Sequence, residues 1–392
     1  MRLAIVTTHP IQYYAPVFRL LHQRQSIEIK VFYTWGESAL KKHDPGFNKT
    51  IEWDIPLLEG YPYEWVDNTS ADPGSHHFKG VINPGITSQI SQWQPGALLV
   101  FGWAYHGHLK VMRHFKNKVP VYFRGDSTLL DAPSGIKGFF RSPFLKWVYK
   151  HIDHAFYVGT NNKLYFQKFG LQQSQLSFAP HAVDNDRFAG DRSDEAAALR
   201  DSLKIESGDT VILFAGKFEN KKAPDLLLKA FVELAPTGVH LLFVGNGYLR
   251  SSLQHAAGGY GNIHFLDFQN QSFMPVVYQA CDIFCLPSRG PGETWGLAVN
   301  EAMACGKAVV VSDKVGCAID LVDSSNGSVF RSDNVDELGL VLKGLVNSKQ
   351  LLPVMGKQSA KRIVPFNFSA VAQAIEEKVL EGHRQKPLFS NR

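Results

Sequence analysis

Two glutamates and two lysines are the residues of this chain whose types and spacing can do chemistry together. Glu293 sits in the Gly/Pro turn Ser288-Arg289-Gly290-Pro291-Gly292-Glu293-Thr294-Trp295-Gly296, and Glu301 follows eight residues later. On a regular helix that spacing is about 12 Å along one face. Glu293 precedes the helix, however, and can fold over its N-terminus. There the backbone N–H groups of Thr294, Trp295, Gly296 and Leu297 and the positive end of the helix dipole suit an anion. A diphosphate bound there would bring a linked sugar to Glu293 and ribose hydroxyls to Glu301. The plainer alternative is that Glu293 caps the helix and Glu301 is a surface residue. Lys217 follows Gly216, and Lys222 opens the next helix. Two cations so placed can neutralise a diphosphate leaving group, or can be ordinary solvated lysines.

These residues need a scaffold, and the flanking sequence supplies one. Residues 282–287 read as a buried strand, Gly296 onward as a helix, and 308–311 as a β-branched strand. Residues 210–215, 239–244 and 263–266 are further strands of the same half, and 2–8, 27–33, 97–101, 119–123, 155–158 and 177–180 are those of the other. Alternation of strand with helix predicts an α/β fold with parallel sheets covered on both faces. In such sheets ligands bind beyond the carboxyl ends of strands. On that edge the first half offers His9, Gln12, Trp103, His106, Arg124 and Asp126. Residues 35–95 read as an insertion region of short elements. The polar stretch 190–208 marks the domain boundary, giving domains 1–190 and 191–366 and a C-terminal helix, 367–392, that packs back towards the first domain.

Other patterns are weaker. Gly245-Asn246-Gly247 is half of a dinucleotide fingerprint, but Arg250 stands at the third glycine position. Asp184-Asn185-Asp186 has the spacing of a metal–diphosphate motif and equally that of a turn. His106 and His108 would share a face of an extended loop, yet no zinc-type His/Cys spacing accompanies them. Residues 136–150 mix basic and aromatic side chains. They read as a core-facing helix with solvated cations or as a patch attracted to anionic lipid.

With 392 residues, 44% of them hydrophobic and 20% charged, the chain has material for two cores. A formal charge of +5 fits anionic ligands or an anionic membrane surface and is too small to indicate nucleic acid. The four cysteines lie in or beside apolar runs without C-x-x-C pairing, as buried reduced thiols do. The N-terminus reads as a strand rather than a signal peptide, and no apolar run reaches the ~20 residues of a membrane span. A cytoplasmic location, with contact at the inner face of the membrane as its variant, is the expectation.

Taken together, Pro287-Ser288, Glu293-Thr294-Trp295-Gly296-Leu297 through Glu301-Ala302-Met303-Ala304-Cys305-Gly306, Gly216-Lys217 with Lys222 and Asp225, Val244-Gly245-Asn246-Gly247, Val183-Asp184 with Phe188, and Asn326-Gly327 keep order and spacing. They resemble the retaining nucleotide-sugar glycosyltransferases of family 4, with the GT-B fold. The resemblance covers residues 180–330 well and 1–130 in outline. It implies two Rossmann-like parallel-sheet domains facing a cleft, with the donor on the second and the acceptor on the first. It also implies retaining, metal-independent transfer of a hexosyl unit from a nucleotide-diphosphate sugar, UDP- or GDP-linked, with no further cofactor. Carried over, Glu293, Lys217 and Lys222 are the catalytic set: Glu293 on the donor sugar, the lysines on the diphosphate. Glu301 would hold the ribose, with Thr294, Trp295, Gly296, Leu297, Gly216, Gly245 and Asn246 completing the donor site. His9, Gln12, His106, Arg124 and Asp126 are the acceptor-side candidates. The expected acceptor is a glycan or lipid-linked molecule of cell-surface polysaccharide or glycolipid synthesis.

Three features depart from the family pattern. Lys217 stands where arginine is usual, which keeps the charge and loses the bidentate fork. Cys317 replaces the second glycine of the turn after Val315-Gly316, and His9-Pro10-Ile11-Gln12 replaces the glycine-rich loop after the first strand. A nucleotide-sugar epimerase of the same fold, or a nucleotide-sugar-binding module without catalysis, are the alternatives.

Overall fold

The computed structural model describes residues 1–38, 43–44, 49–50, 52–130 and 135–384. They belong to two compact units. Met1–Lys42, Pro56–His181 and Phe368–Arg392 make the first, and His43–Ile55 with Ala182–Asn367 the second.

The first unit is built on seven parallel strands. Their spatial order is Tyr63–Trp65, Glu28–Tyr33, Arg2–Thr7, Ala97–Phe101, Val121–Arg124, His154–Tyr157 and Leu176–Phe178. Ala97–Phe101 is buried at every position and Arg2–Thr7 at all but its first, which is why both are apolar runs instead of alternating patterns. The register pairs Ile5 with Val31 on one side and with Leu99 on the other. The helix Ala15–Arg24 has a proline in its first turn and buries Ala15, Val17, Phe18 and Leu21. The helix Phe368–Arg384 packs on it: Arg24 Nη1 lies 2.9 Å from Glu376 Oε2, and Val371, Ala372, Ile375 and Val379 are buried. Tyr122 OH also donates to Lys378 O, at 3.3 Å. Of the expected C-terminal stretch 367–392, residues 385–392 lie outside the described residues.

The second unit has six parallel strands in the order Ile263–Leu266, Val239–Val244, Thr210–Ala215, Ile283–Leu286, Ala308–Ser312 and Gly327–Phe330. In each unit the strand order reverses beside the first strand of the unit. The reversal lies between Arg2–Thr7 and Ala97–Phe101 in one, and between Thr210–Ala215 and Ile283–Leu286 in the other. At such a switch point the connections leave in opposite directions and open a crevice at the carboxyl ends. Lys217 and the Ser288–Gly296 turn stand at that point in the second unit.

The chain passes from the first unit to the second after His181, where 190 was expected, and returns to the first at Phe368. Val183 bridges Asn367 in parallel, and Asn185 Nδ2 donates to Ile363 O and Phe366 O, each at 3.3 Å. Phe188 is fully buried with its ring 5.8 Å from that of Tyr278. Burial of such a ring is worth about 1.5–3 kcal/mol. The polar stretch that suggested the later boundary forms the partly exposed helix Ser193–Ser202 of the second unit. The insertion region also contributes to that unit: Asn270 Nδ2 donates to Glu52 O at 2.6 Å, and Trp53 meets Phe268 edge-on at 6.1 Å.

Candidate active site

The loop after Ile283–Leu286 carries Glu293 back over the start of the helix Leu297–Ala304. That helix is entered through Gly296, whose φ of 97° suits a residue without a side chain. Glu293 is 6% exposed. Its Oε2 accepts from Ser288 Oγ at 3.0 Å and lies 2.5 Å from Lys222 Nζ. Glu293 is therefore not a helix cap; its carboxylate is held by a cation and a hydroxyl. Glu301, within that helix, is 4% exposed and accepts from Tyr278 OH at 2.8 Å, so it is no surface residue.

Arg289 sets the approach of Lys222 to Glu293, and no sequence pattern pointed to it. Its Nη1 and Nη2 donate to the two oxygens of Asp225 at 3.0 Å each, and its Nε to Asp333 Oδ1 at 2.7 Å. Nη1 also donates to Asn220 O at 3.2 Å, and the Arg289 N–H to Lys221 O at 2.9 Å. The planar fork ties the glutamate loop to the helix Pro224–Leu234, and the bonds to Asn220 and Lys221 tie it to the 3₁₀ turn Asn220–Lys222. Tyr278, to which no sequence pattern pointed, and Ser288, read there only as part of the motif, are hydrogen-bonded to the two carboxylates.

Two glycines are required by close backbone approach. A Cβ on Gly316 would lie 1.8 Å from Thr294 O, because Gly316 N–H and Cys317 N–H donate to Glu293 O and Trp295 O, at 3.0 and 2.9 Å. A Cβ on Gly245 would lie 2.0 Å from Gly216 O. The Gly245-Asn246-Gly247 turn therefore serves contact with the Gly216-Lys217-Phe218 loop, with Phe218 N–H donating to Asn246 O at 2.9 Å.

Among the other expected donor residues, Lys217 is half-buried at the end of Thr210–Ala215, and Thr294 and Leu297 are half-buried in the loop and first turn. Trp295 is buried with its Nε1 donating to Asn300 Oδ1 at 2.8 Å, so its ring braces the loop. The Asn246 side chain accepts from Arg250 Nη1 at 2.6 Å. Cys317, in the place of the family's glycine, is buried, and burial with Glu293 nearby holds its thiol well above the ordinary range. The other three cysteines are also unpaired, and burial pushes Cys281 up to about 12.

In the first unit the expected acceptor-side residues divide. Arg124 is 3% exposed and spends Nη1 and Nη2 on Ala179 O and Pro180 O, at 2.7 and 2.8 Å, which fixes the exit of the last strand. Asp126, half-exposed, stands 3.7 Å from the buried His181 Nε2. Burial lowers the His181 pKa, against the pull of Asp126. Tyr14 is drawn into the same group: burial raises its hydroxyl pKa first, with Asp126 adding and Arg124 opposing. His9 Nδ1 pairs with Thr8 Oγ1 at 2.9 Å, and its ring meets Trp35 edge-on. Gln12 is half-buried, and His106, exposed, opens the helix His106–Phe115 against Phe78.

The weaker patterns resolve as structure. His106 and His108 lie on a helix, two residues apart and so on different faces. His108 is fully buried, bonded to Thr34 Oγ1 at 2.8 Å and to the Phe101 and Gly102 carbonyls, and burial lowers its pKa to about 4. Asp184 caps the helix Asn185–Ala189 by accepting from Arg187 N–H at 3.1 Å, which accounts for that motif as a turn. The basic and aromatic stretch is the helix Gly135–Tyr149. It buries Leu145, Val148 and Tyr149 and exposes Phe144 and Trp147; side chains 136–140 lie outside the described residues. No helix among the described residues is long and apolar enough to cross a membrane.

Residues 195–362 match the family described as glycosyl transferases group 1. The chain is 28% identical over 220 residues to a D-inositol 3-phosphate glycosyltransferase 2 of Catenulispora acidiphila, covering 53% of this chain and 50% of that protein. It is 30% identical over 199 residues to a phosphatidyl-myo-inositol mannosyltransferase of Mycolicibacterium smegmatis, covering 50% and 49%. The chain thus spans about half the length of the curated relatives it matches. In structure it resembles Anabaena HepE in complex with UDP and glucose, with a TM-score of 0.71 at 16% identity over 97% of this chain and 100% of that one. The match to glycosyl transferases group 1 falls within the second unit, in a chain of two parallel-sheet Rossmann-like units with the fold of the GT-B glycosyltransferases.

Proposed function

We propose that the chain is a retaining glycosyltransferase of family 4 that moves a hexosyl unit from a UDP- or GDP-sugar to a glycan or lipid-linked acceptor. The buried Lys222–Glu293 pair at the switch point of the second sheet is the observation that carries this reading. A carboxylate fixed by a cation and a hydroxyl is suited to sugar hydroxyls. A lysine fixed by that carboxylate is suited to the neighbouring diphosphate, so that Lys217 and Lys222 supply the charge a divalent ion would otherwise bring. Glu301, oriented by Tyr278, takes the ribose.

In the proposed step the bond from the anomeric carbon to the β-phosphate oxygen breaks, and the acceptor oxygen bonds to that carbon on the same face. The β-phosphate oxygen takes the acceptor proton, leaving nucleoside diphosphate. Asp126, His181 and Tyr14 of the first unit are the proposed acceptor-binding group. Retention, pathway and acceptor class rest on the family resemblance. The two curated relatives, named for inositol phosphate and phosphatidyl-myo-inositol, support a polyol or lipid-linked acceptor.

Mass spectrometry with proton NMR of products tests the reading. An acceptor heavier by one hexosyl residue, with the donor's anomeric configuration kept, is the expected result. Nucleotide release with an altered free sugar and no acceptor product would favour the epimerase.

The first unit also offers an anionic membrane a docking face. Phe144 and Trp147, 44% and 39% exposed, stack at 5.8 Å, and Arg113 lies 5.4 Å over Trp147. Arg141 and Lys146 are exposed on the same helix, and Lys150 just after it. Aromatic rings with cations around them suit the headgroup layer.

A further inference from the structure

We propose that Asp72, His76 and His77 of the first unit bind a borderline transition-metal dication of the zinc type. Asp72 Oδ2 lies 3.3 Å from His76 Nε2 and 3.1 Å from His77 Nε2. The three ligating atoms are all within 4.8 Å of one another. With bonds of about 2.0–2.2 Å, tetrahedral geometry sets neighbouring donor atoms about 3.3–3.5 Å apart. The two carboxylate–imidazole edges are already near that spacing, and the third edge is within 4.8 Å. Two imidazoles with one carboxylate favour zinc over magnesium or calcium, which take oxygen donors.

The loop is shaped around the cluster. Asp72 N–H donates to Ser70 Oγ at 3.2 Å, Ser70 Oγ to Lys79 O at 2.7 Å, and Asn68 Nδ2 to Gly80 O at 2.9 Å. Gly74 N–H donates to the same Gly80 carbonyl at 3.0 Å. The His76 ring lies over Gly74, where a Cβ would stand 2.4 Å from Nδ1 and would push the ring aside. Three protein ligands leave the fourth position to water or another oxygen. Between the ligands, Ser75 O accepts from Tyr105 OH at 3.3 Å, and Tyr105 feels the charge of Asp126. Metal at this loop would hold Ser75 against the acceptor-side group. The three ligands belong to the first unit, and their occupancy does not depend on the reaction proposed for the lysines and glutamates of the second.

Full-length protein stripped with a chelator, then titrated with zinc chloride by calorimetry and with cobalt(II) by visible absorption, tests the site. One zinc per chain and the intense absorption of four-coordinate cobalt are expected. D72N and the double variant H76A/H77A should each weaken zinc by at least about tenfold. All three side chains are partly or largely exposed, so the variants should melt like the parent in chelator; D72N keeps the side-chain size if the double variant does not. No zinc uptake by the parent, or uptake equal in parent and D72N, would overturn the proposal.

Discussion

Lys222 Nζ stands 2.5 Å from Glu293 Oε2, with the two side chains 19% and 7% exposed. Removing either partner leaves the other charge buried and uncompensated, which costs about 3–5 kcal/mol. K222A and E293A should therefore each lower stability by about 3 kcal/mol in urea unfolding. The double variant should lose less than the sum, because the pair is one unit. Each single variant should also lower kcat/KM by about 100-fold or more, in the range of removing one preorganised electrostatic partner. Equal additivity in both measurements would show that the contact is idle.

Arg289 bonds to Asn220 and Lys221 of the turn that carries Lys222, and a positioning role is its proposed part. Its fork on Asp225 is planar and bidentate, so R289K should not restore what R289A loses. The expected change is mainly a raised KM for the donor, with kcat altered less. R289A and D225A should couple by about 0.5–3 kcal/mol in a double-mutant cycle on KM. A loss confined to kcat would contradict a positioning role.

His108 gives the pH dependence of stability a definite sign. Burial lowers its folded pKa from 6.5 to about 4, and His154 moves the same way for the same first cause. Between those values the unfolded chain binds the proton and the folded chain does not. Stability is fully present above pH 6.5 and falls as the pH drops towards 4, by about 3 kcal/mol for His108. H108Q, though less stable at pH 7, should lose less over that interval. A parent chain equally stable at pH 4.5 and 7 would refute this.

The exposed Phe144–Trp147 face should bind vesicles containing anionic lipid and not those of zwitterionic lipid alone. Each Lys or Arg at such a surface adds about 1 kcal/mol, and salt should weaken the binding. F144A/W147A should abolish flotation with the vesicles without changing donor binding.

Much of the scaffold was legible because parallel strands buried on both faces leave apolar runs that need no partner to be read. Residues 283–286 and 308–311 are of that kind. The two glutamates were legible by spacing, but whether they were buried or solvated was not. Glu301 is set by Tyr278, 23 residues earlier, and no local pattern records that contact. Arg289 depends on Asp225 and Asp333, 64 and 44 residues away, and reads locally as one more surface cation. The boundary was misplaced because a polar, exposed helix has the composition of a linker. Asp72, His76 and His77 have no recognised spacing; the tight turn over Gly74 brings them together.

The central claim is that the second unit holds a nucleotide-sugar through Lys222 and Glu293. Thermal unfolding across UDP-, GDP-, ADP- and CMP-sugars, with the parent chain, K222A and E293A, tests it most directly. A UDP- or GDP-sugar, at about 100 times its dissociation constant, should stabilise the parent by about 2.7 kcal/mol, with most of the gain lost in both variants. No stabilisation by any donor, or stabilisation undiminished in K222A and E293A, would contradict it.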